Sequence, residues 1–176
     1  MKSNSFHSRR RLLGMALGAT ASGILAPWRP ALAQPAKVPD PFYTHAFEDL
    51  DGVSQDMARF LGKPLVLNFW ATWCPPCVKE MPDLNALNAK HPGVAFLGLA
   101  IDTESNVRKF LEKIPVDYDV MMAGKGGMRL MRELGNRQGG LPFTLVFDAR
   151  GRVSQRILGQ VDPDVLDGYI RDLAVS

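Results

Sequence analysis

The chain has 176 residues, 46% of them hydrophobic, and a formal net charge of +3. The first 33 residues contain five basic and no acidic residues, so the remaining 143 carry a net charge of −2. That remainder is long enough for one domain with its own core, and it has no repeat or low-complexity tract. It has no basic patch interleaved with aromatic residues, so nucleic acid is not an expected partner.

Residues 1–33 are predicted to be an export signal. Three arginines at positions 9–11 directly precede an apolar stretch over residues 12–25, which is shorter than the roughly 20 apolar residues of a transmembrane helix. Ala31 and Ala33 give the small-x-small pattern of a cleavage site, which predicts cleavage after Ala33. The paired arginines resemble the bacterial twin-arginine signal, which exports folded proteins. An ordinary secretory signal and an uncleaved anchor stay open as alternatives.

The export signal predicts a periplasmic protein in a bacterium. Because the periplasm is oxidising, two cysteines there form either a structural bridge or an active-site pair. Residues 34–41 are polar and rich in proline, which predicts a flexible entry segment. Residues 42–176 are predicted to form the single folded domain.

The first strongly apolar run of this domain covers residues 65–70 and is interrupted only by Asn68, which predicts a central strand covered on both faces. Pro75 and Pro76 then mark the first turn of a helix that ends near His91. The elements predicted after it are a strand over 94–101, a helix over 104–114, a short strand over 118–122, a helix over 128–134, a hairpin of strands 143–147 and 152–158, and a helix over 165–173 with Asp162 as N-cap. The early β-α-β unit predicts a parallel crossover and the hairpin an antiparallel edge. The fold class is therefore α/β, with a mixed central sheet flanked by helices.

The only two cysteines, Cys74 and Cys77, lie two residues apart where the predicted strand leads into the helix. Free N–H groups and the partial positive charge of a helix N-terminus favour a thiolate over a thiol. We therefore expect Cys74 to attack a disulfide and Cys77 to resolve the mixed disulfide. A zinc site would need further Cys or His ligands, and a structural bridge over two residues would constrain little of the unfolded chain. Neither a metal nor a cofactor is expected.

Two other patterns give weaker signals. Residues 124–127 combine glycine with a lysine but lack the spacing of a phosphate-binding loop, so a plain loop is predicted. Soft thioether sulfurs can bind copper, but methionine more often fills gaps in a core, and we favour the core interpretation. The methionines concerned are Met121, Met122, Met128 and Met131.

The stretch over residues 69–77 resembles the signature of the thioredoxin superfamily around its redox-active cysteines, and residues 140–144 resemble the loop that carries the cis-proline of that family. The resemblance implies a thioredoxin-like fold over about residues 40–174. It also implies that Pro142 is cis and that the backbone of Leu141 pairs with an extended substrate.

Residues 77–82 are closer still to the exported TlpA/ResA-like branch, which reduces disulfides and often serves cytochrome c maturation. In that branch an acidic residue near the active site matches Glu80, which we expect to relay a proton to and from Cys77. A solvated helix residue is the alternative for Glu80. The branch also implies a central insertion, housed by residues 103–135, and an N-terminal extension. Asn68 replaces the buried aspartate of plain thioredoxin, and we assign it no catalytic role.

The side chains expected to contact substrate surround the cysteines. Trp73 is expected to cover one side of the site, although a core position is the alternative, whereas Trp70 is expected in the core. Pro75 and Pro76, the dipeptide between the cysteines, are expected to contact substrate together with Leu141.

The sequence thus predicts a periplasmic thiol–disulfide oxidoreductase that reduces protein disulfides through its Cys-Pro-Pro-Cys pair. Apocytochrome c is a candidate substrate, a membrane dithiol carrier is the expected reductant, and a monomer is expected. A copper metallochaperone or assembly factor that uses the same cysteines is the alternative. Peroxide reduction is disfavoured because the Thr-x-x-Cys pattern of peroxiredoxins is absent.

Overall fold

A computed structural model describes residues 39–173. The predicted export signal, its cleavage site and residues 34–38 of the entry segment lie outside the described residues. At the start of the described part, the side chain of Asp40 accepts a hydrogen bond from the N–H of Phe42 and caps a 3-10 helix over Pro41–Thr44.

Seven strands and four α-helices make up the described chain, with two further 3-10 helices over Met57–Phe60 and Gly124–Gly126. The strands are β1 (Ala46–Asp49), β2 (Ser54–Asp56), β3 (Leu65–Trp70), β4 (Ala95–Ala100), β5 (Asp119–Met122), β6 (Phe143–Phe147) and β7 (Val153–Leu158). The helices are α1 (Pro75–Lys90), α2 (Glu104–Leu111), α3 (Gly127–Glu133) and α4 (Pro163–Leu173).

The strands form one mixed sheet in the order β2-β1-β5-β4-β3-β6-β7. Strands β3, β4 and β5 are parallel neighbours, whereas β6 pairs antiparallel with both β3 and β7. The mixed α/β fold is as predicted from the order of the elements. The interval 103–135 contains α2, β5 and α3, and the hairpin of β1 and β2 extends the sheet beyond β5.

Alternate residues of β3 pack against opposite layers of the fold, because successive side chains of a strand point to opposite faces. Leu65, Leu67 and Phe69 join a core cluster that includes Leu130 and Met131 of α3. On the other face, Val66 packs with Leu84 of α1 and Leu166 of α4, and Trp70 packs with Met81 of α1 and Val107 of α2. The central strand is therefore covered on both faces, as its apolar run predicts.

Most predicted elements are confirmed, with small differences at their ends. Helix α2 ends at Leu111 rather than at Ile114, because the N–H groups of both Lys113 and Ile114 turn back to the carbonyl of Phe110. The carboxylate of Asp162 accepts hydrogen bonds from the first turn of α4, which confirms it as a cap. Strands β1 and β2 were not predicted, since they are short and only half-buried.

The carboxylate of Asp167, in the middle of α4, joins this helix to the C-terminal end of α1. Its Oδ1 atom lies 2.9 Å from Nζ of Lys90 and 2.6 Å from Nε2 of His91, and its Oδ2 atom lies 3.2 Å from Nε of Arg171. The hydrogen bonds from Lys90 and His91 lower the pKa of Asp167 to about 2. The ionised carboxylate is thus favoured by the folded state.

We predict that Asp167→Asn lowers the melting temperature at neutral pH. A lowered carboxyl pKa stabilises the fold above the ordinary pKa of about 4, and this contribution is lost as the pH falls towards about 2. The difference in melting temperature between D167N and the natural chain should therefore shrink over that range. Asp164→Asn, an exposed change on the same helix, is the control. Equal melting temperatures for D167N and D164N at pH 7 would contradict the assignment.

Candidate active site

The two cysteines lie at the N-terminus of α1 and are joined by a disulfide with a Cα–Cα distance of 5.3 Å. Cys74 is the N-cap residue, and its Sγ accepts a hydrogen bond of 3.3 Å from the N–H of Cys77. The side chain of Cys74 is 5% exposed and that of Cys77 is fully buried. The sulfur of Cys74 is therefore the one that solvent or another protein reaches first.

The Pro-Pro dipeptide determines which backbone groups face this sulfur. Proline has no N–H, so Pro75 and Pro76 begin the helix without leaving donors unpaired. The N–H of Val78 donates to the carbonyl of Cys74 as an ordinary helical bond of 3.1 Å. The N–H of Cys77 is consequently the one backbone donor of the described first turn that bonds the sulfur of Cys74.

The turn between β3 and α1 is fixed by a residue that the sequence analysis did not single out. Oδ2 of Asp102 accepts hydrogen bonds from the N–H and the hydroxyl of Thr72, at 3.0 and 2.5 Å. Burial acts to raise the pKa of Asp102, but these bonds and those from Thr103 and Asn106 outweigh it and hold the pKa below its usual value. A carboxylate just after a buried parallel strand beside the cysteine strand is the signal that could have identified it.

Exposed side chains surround Cys74 on the surface. Trp73 is 64% exposed, so it does not occupy the core position that was its alternative. Pro75 and Pro76 are also exposed. Trp70, by contrast, is fully buried, as expected for a core residue.

The loop before β6 lies against the cysteine cluster. The peptide bond between Leu141 and Pro142 is cis, and the half-buried side chain of Leu141 packs against the cluster that contains both cysteines. Within residues 39–173 neither the N–H nor the C=O of Leu141 has a hydrogen-bond partner. This backbone is therefore free to pair with another chain.

Asn136 holds the start of this loop and was not predicted. It is almost fully buried, its Oδ1 accepts from the N–H of Gly139 at 2.9 Å, and its Nδ2 donates to the carbonyl of Gly140 at 2.7 Å. Gly139 has a φ of +72°, a conformation that favours glycine. An asparagine near a glycine pair is a turn signal that points to this arrangement.

Glu80 is fully buried one helical turn beyond Cys77, so it is not the solvated helix residue that was its alternative. Its Oε1 accepts a hydrogen bond of 2.8 Å from Nδ2 of Asn68, and its Oε2 accepts one of 2.8 Å from the N–H of Val161. Burial raises the pKa of Glu80 to about 7, against the opposing effect of these two hydrogen bonds. A carboxyl with such a pKa exchanges protons near neutral pH.

Asn68 links this carboxyl to the neighbouring strand. Its Nδ2 also donates to Oγ1 of Thr144 on β6 at 3.0 Å, whereas its Oδ1 is buried with no partner within the described residues. Burial, and secondly the negative charge of Glu80, raise the pKa of the Tyr118 hydroxyl. Thr144, Val161 and Tyr118 were not predicted here because their roles depend on contacts distant in the sequence.

Three of the methionines that were considered as copper ligands are not part of the site around the cysteines. Met121 and Met131 are buried in a core cluster, and Met128 packs against it. Among residues 39–173 no group of three or more His, Cys, Asp or Glu side chains could hold a metal ion. Over the same residues, no helix has the length and apolar character needed to cross a bilayer.

Comparison with known proteins places this geometry in a family. The Redoxin family model matches residues 35–170. The thiol–disulfide oxidoreductase ResA of Bacillus anthracis is 33% identical over 128 residues, which cover 71% of this chain and 72% of that protein.

Comparison with solved structures supports the same family. A thioredoxin-related protein from Neisseria meningitidis serogroup B is 32% identical with a TM-score of 0.65, covering 74% of this chain and 99% of that one. A secreted disulfide oxidoreductase of Mycobacterium tuberculosis, homologous to DsbE of E. coli, is 25% identical with a TM-score of 0.66, covering 76% and 98%. The chain therefore belongs to the Redoxin family, and it is a TlpA/ResA-like thiol–disulfide oxidoreductase of the thioredoxin superfamily.

Proposed function

We propose that this oxidoreductase reduces disulfides of exported proteins, with Cys74 as the nucleophile and Cys77 as the resolving cysteine. The observation that carries the assignment is the asymmetry of the two sulfurs. Cys74 is the more exposed, and its sulfur accepts the hydrogen bond from the N-terminus of α1, whereas Cys77 is fully buried. A helix N-terminus stabilises a thiolate at the first position.

The reaction begins from the dithiol form. The Cys74 thiolate attacks one sulfur of the substrate disulfide, so a bond forms between them and the second substrate sulfur leaves as a thiolate. Cys77 then loses its proton and attacks Sγ of Cys74, which releases the first substrate sulfur as a thiolate. Two electrons pass to the substrate, and the protein is left with the disulfide between Cys74 and Cys77.

Glu80 is the proposed acceptor of the Cys77 proton. It is buried one turn from Cys77, and a carboxyl whose pKa lies near 7 is ionised often enough to accept a proton at neutral pH. Asn68 and Val161 hold the two carboxyl oxygens in place. In the reverse half-reaction, Glu80 returns the proton to Cys77.

The substrate is proposed to bind as an extended segment along the backbone of Leu141, next to Pro142. The N–H and C=O of Leu141, which have no hydrogen-bond partner within residues 39–173, suit the addition of a strand. Trp73, Pro75 and Pro76 supply exposed apolar contacts on the other side of Cys74.

The reductive direction is supported by the Pro-Pro dipeptide. Thiol proteins whose reduced form is strongly stabilised are oxidants. Since Pro75 and Pro76 contribute no N–H, a Cys74 thiolate gains a hydrogen bond from Cys77 and none from the dipeptide between the cysteines. The reduced form is thus stabilised less than it would be with a further N–H donor at position 76.

The proposal also covers the location of the protein, its reductant and its substrate. We place the protein in the bacterial periplasm after export through the signal over residues 1–33, with cleavage after Ala33, as a monomer re-reduced by a membrane dithiol carrier. Apocytochrome c is a candidate substrate. The copper-binding alternative stays a prediction from the sequence, which copper titration of the reduced protein would test.

The cysteine roles predict different outcomes for the two single variants. Cys74→Ser should abolish reduction of insulin disulfides, because no nucleophile remains at the surface. Cys77→Ala should also stop turnover, but it should accumulate mixed disulfides between Cys74 and substrate that non-reducing gels and mass spectrometry detect. Mixed disulfides trapped by C74S rather than by C77A would contradict the assignment.

The role of Glu80 predicts a change in the pH profile. In the natural chain, the rate of release from a preformed mixed disulfide should rise with pH through about 7, as Glu80 loses its proton. Glu80→Gln should remove this inflection and slow release at pH 7 by about a hundredfold, as expected for the loss of a positioned base. Glu112→Gln, an exposed change of the same kind, is the control. A profile of E80Q with the natural inflection would refute the relay.

Glu80→Gln, which should slow release of the substrate, should stabilise the fold at high pH. Because the pKa of Glu80 is raised in the fold, the free energy of unfolding should fall by about 3 kcal/mol as the pH rises from about 4 to about 7, and the loss persists above that range. E80Q should lack this dependence and be more stable at pH 8. The amide fits the site, since a rotated Asn68 can present its unpaired Oδ1 as an acceptor. Denaturant titrations at pH 5 and pH 8 measure both effects.

The export signal makes a separate prediction. Replacing Arg9 and Arg10 by lysine should block twin-arginine export, so the protein should remain in the cytoplasmic fraction of a bacterial host. The natural signal should give a shorter protein in the periplasmic fraction, with its N-terminus at Gln34. Unchanged export of the double lysine variant would favour the ordinary secretory route.

A further inference from the structure

Three exposed arginines surround the loop that leads to Pro142. We call them the arginine surface: Arg132, Arg137 and Arg156. Nη2 of Arg132 lies 3.9 Å from the position that a Cβ on Gly139 would take, and Nε of Arg156 lies 3.0 Å from the equivalent position on Gly135.

These arginines differ from most others in the described chain by having no carboxylate partner. Within residues 39–173 five arginines form ion pairs, namely Arg59, Arg108, Arg129, Arg152 and Arg171. Of the four that do not, three belong to the arginine surface and the fourth, Arg150, lies in the turn between β6 and β7 at the far end of that hairpin. The acidic residue nearest in sequence, Glu133, is paired with Arg129 at 3.5 Å. The positive charge at this loop is therefore not neutralised by an ion pair with any of the described residues.

A cavity lies between two members of the arginine surface and the beginning of β6. It has a volume of about 320 Å³ and is lined by Arg137, Arg156, Phe143 and Leu158, among others. Phe143 directly follows Pro142, and Leu158, which is 51% exposed, is its cross-strand partner. The cavity thus begins one residue beyond Pro142, at the end of the loop that is proposed to pair with substrate.

We propose that the arginine surface binds carboxylates of the substrate polypeptide, close to the cysteine that is being reduced. This proposal rests on the proposed function. Leu158 lies next to the loop that contains Leu141, since its Cδ1 atom is 3.5 Å from the position that a Cβ on Gly140 would take. A segment that pairs with Leu141 therefore lies near the guanidinium groups of the arginine surface, which suit acidic side chains. The substrate class is therefore an extended, disulfide-bearing segment flanked by Asp or Glu.

The mixed basic and apolar lining of the cavity favours a polypeptide over a membrane surface as the occupant. The cavity has an apolar side formed by Phe143 and Leu158 next to its basic side, which suits an extended chain with mixed side chains. Charge at such an exposed rim acts mainly on the rate of association and is screened by salt.

The test uses three peptides with the same disulfide, flanked by Asp, by Asn or by Lys. The reduced full chain should reduce the Asp peptide fastest and the Lys peptide slowest, with about a fivefold difference between Asp and Asn at low ionic strength. The difference should shrink when the salt concentration is raised to about 0.5 M.

Arg137→Gln is the principal variant, because within the described residues the Arg137 side chain makes no hydrogen bond or ion pair whose loss would disturb the fold. It should lower the Asp-to-Asn rate ratio and leave the rate for the Asn peptide unchanged. Arg150→Gln is the matched control and should keep the natural ratio. Arg156→Gln is a second variant, with its melting temperature measured because Arg156 also donates to the carbonyl of Leu134 at 2.9 Å.

Different negative results would contradict the proposed function and the proposal for the arginine surface. If none of the three peptides is reduced, the proposed function falls. If all three are reduced at one rate, or if R137Q slows all three equally, the reductase stands and the arginine surface has no role in substrate choice. Binding of the natural chain, but not of R137Q, to vesicles containing phosphatidylglycerol, without any preference among the peptides, would assign the surface to a membrane and overturn this proposal.

Discussion

The buried carboxyl group of Glu80 joins the parts of the molecule that form the site. It lies on α1, and its two oxygens accept hydrogen bonds from Asn68 on β3 and from the backbone of Val161 just before α4. Asn68 in turn donates to Thr144 on β6. Because a buried carboxylate without partners is costly, the correct register of all these elements is needed to hold it. The same burial raises the pKa of Glu80 to about 7, so the packing of this residue and its proposed proton transfer have one cause.

The sheet brings the two halves of the site together. Strand β3 ends where the cysteine turn begins, and β6 starts directly after Pro142, and the two strands are antiparallel neighbours in which Phe69 faces Phe143. The end of one strand and the beginning of the other therefore meet at the same edge. Asp102, which follows β4 at that edge, fixes the turn from a third strand.

The sequence predicted most of the helices and strands and the cysteine pair. It did not predict most of the residues whose hydrogen bonds hold the site together. The apolar run of β3, the proline-initiated helix and the hairpin after Pro142 have strong local signals, and each was found. Strands β1 and β2 were missed because their half-exposed, polar residues give no clear alternation. Val161 and Thr144 could not be found from local patterns, since one acts through its backbone and both contact residues far away in the chain. Glu80 was identified only through the resemblance, because its burial is a property of the assembled layers.

The pairing of Phe69 with Phe143 has a consequence for how the protein matures. These residues are far apart in the chain, so the contact carries a large entropy cost of loop closure and is expected to form late in folding. Before it forms, a partly folded chain has the cysteines, but the loop that is proposed to bind the substrate is not yet next to them. Selective disulfide exchange is therefore coupled to completion of the sheet, because only the completed sheet brings the loop of Pro142 next to the cysteines.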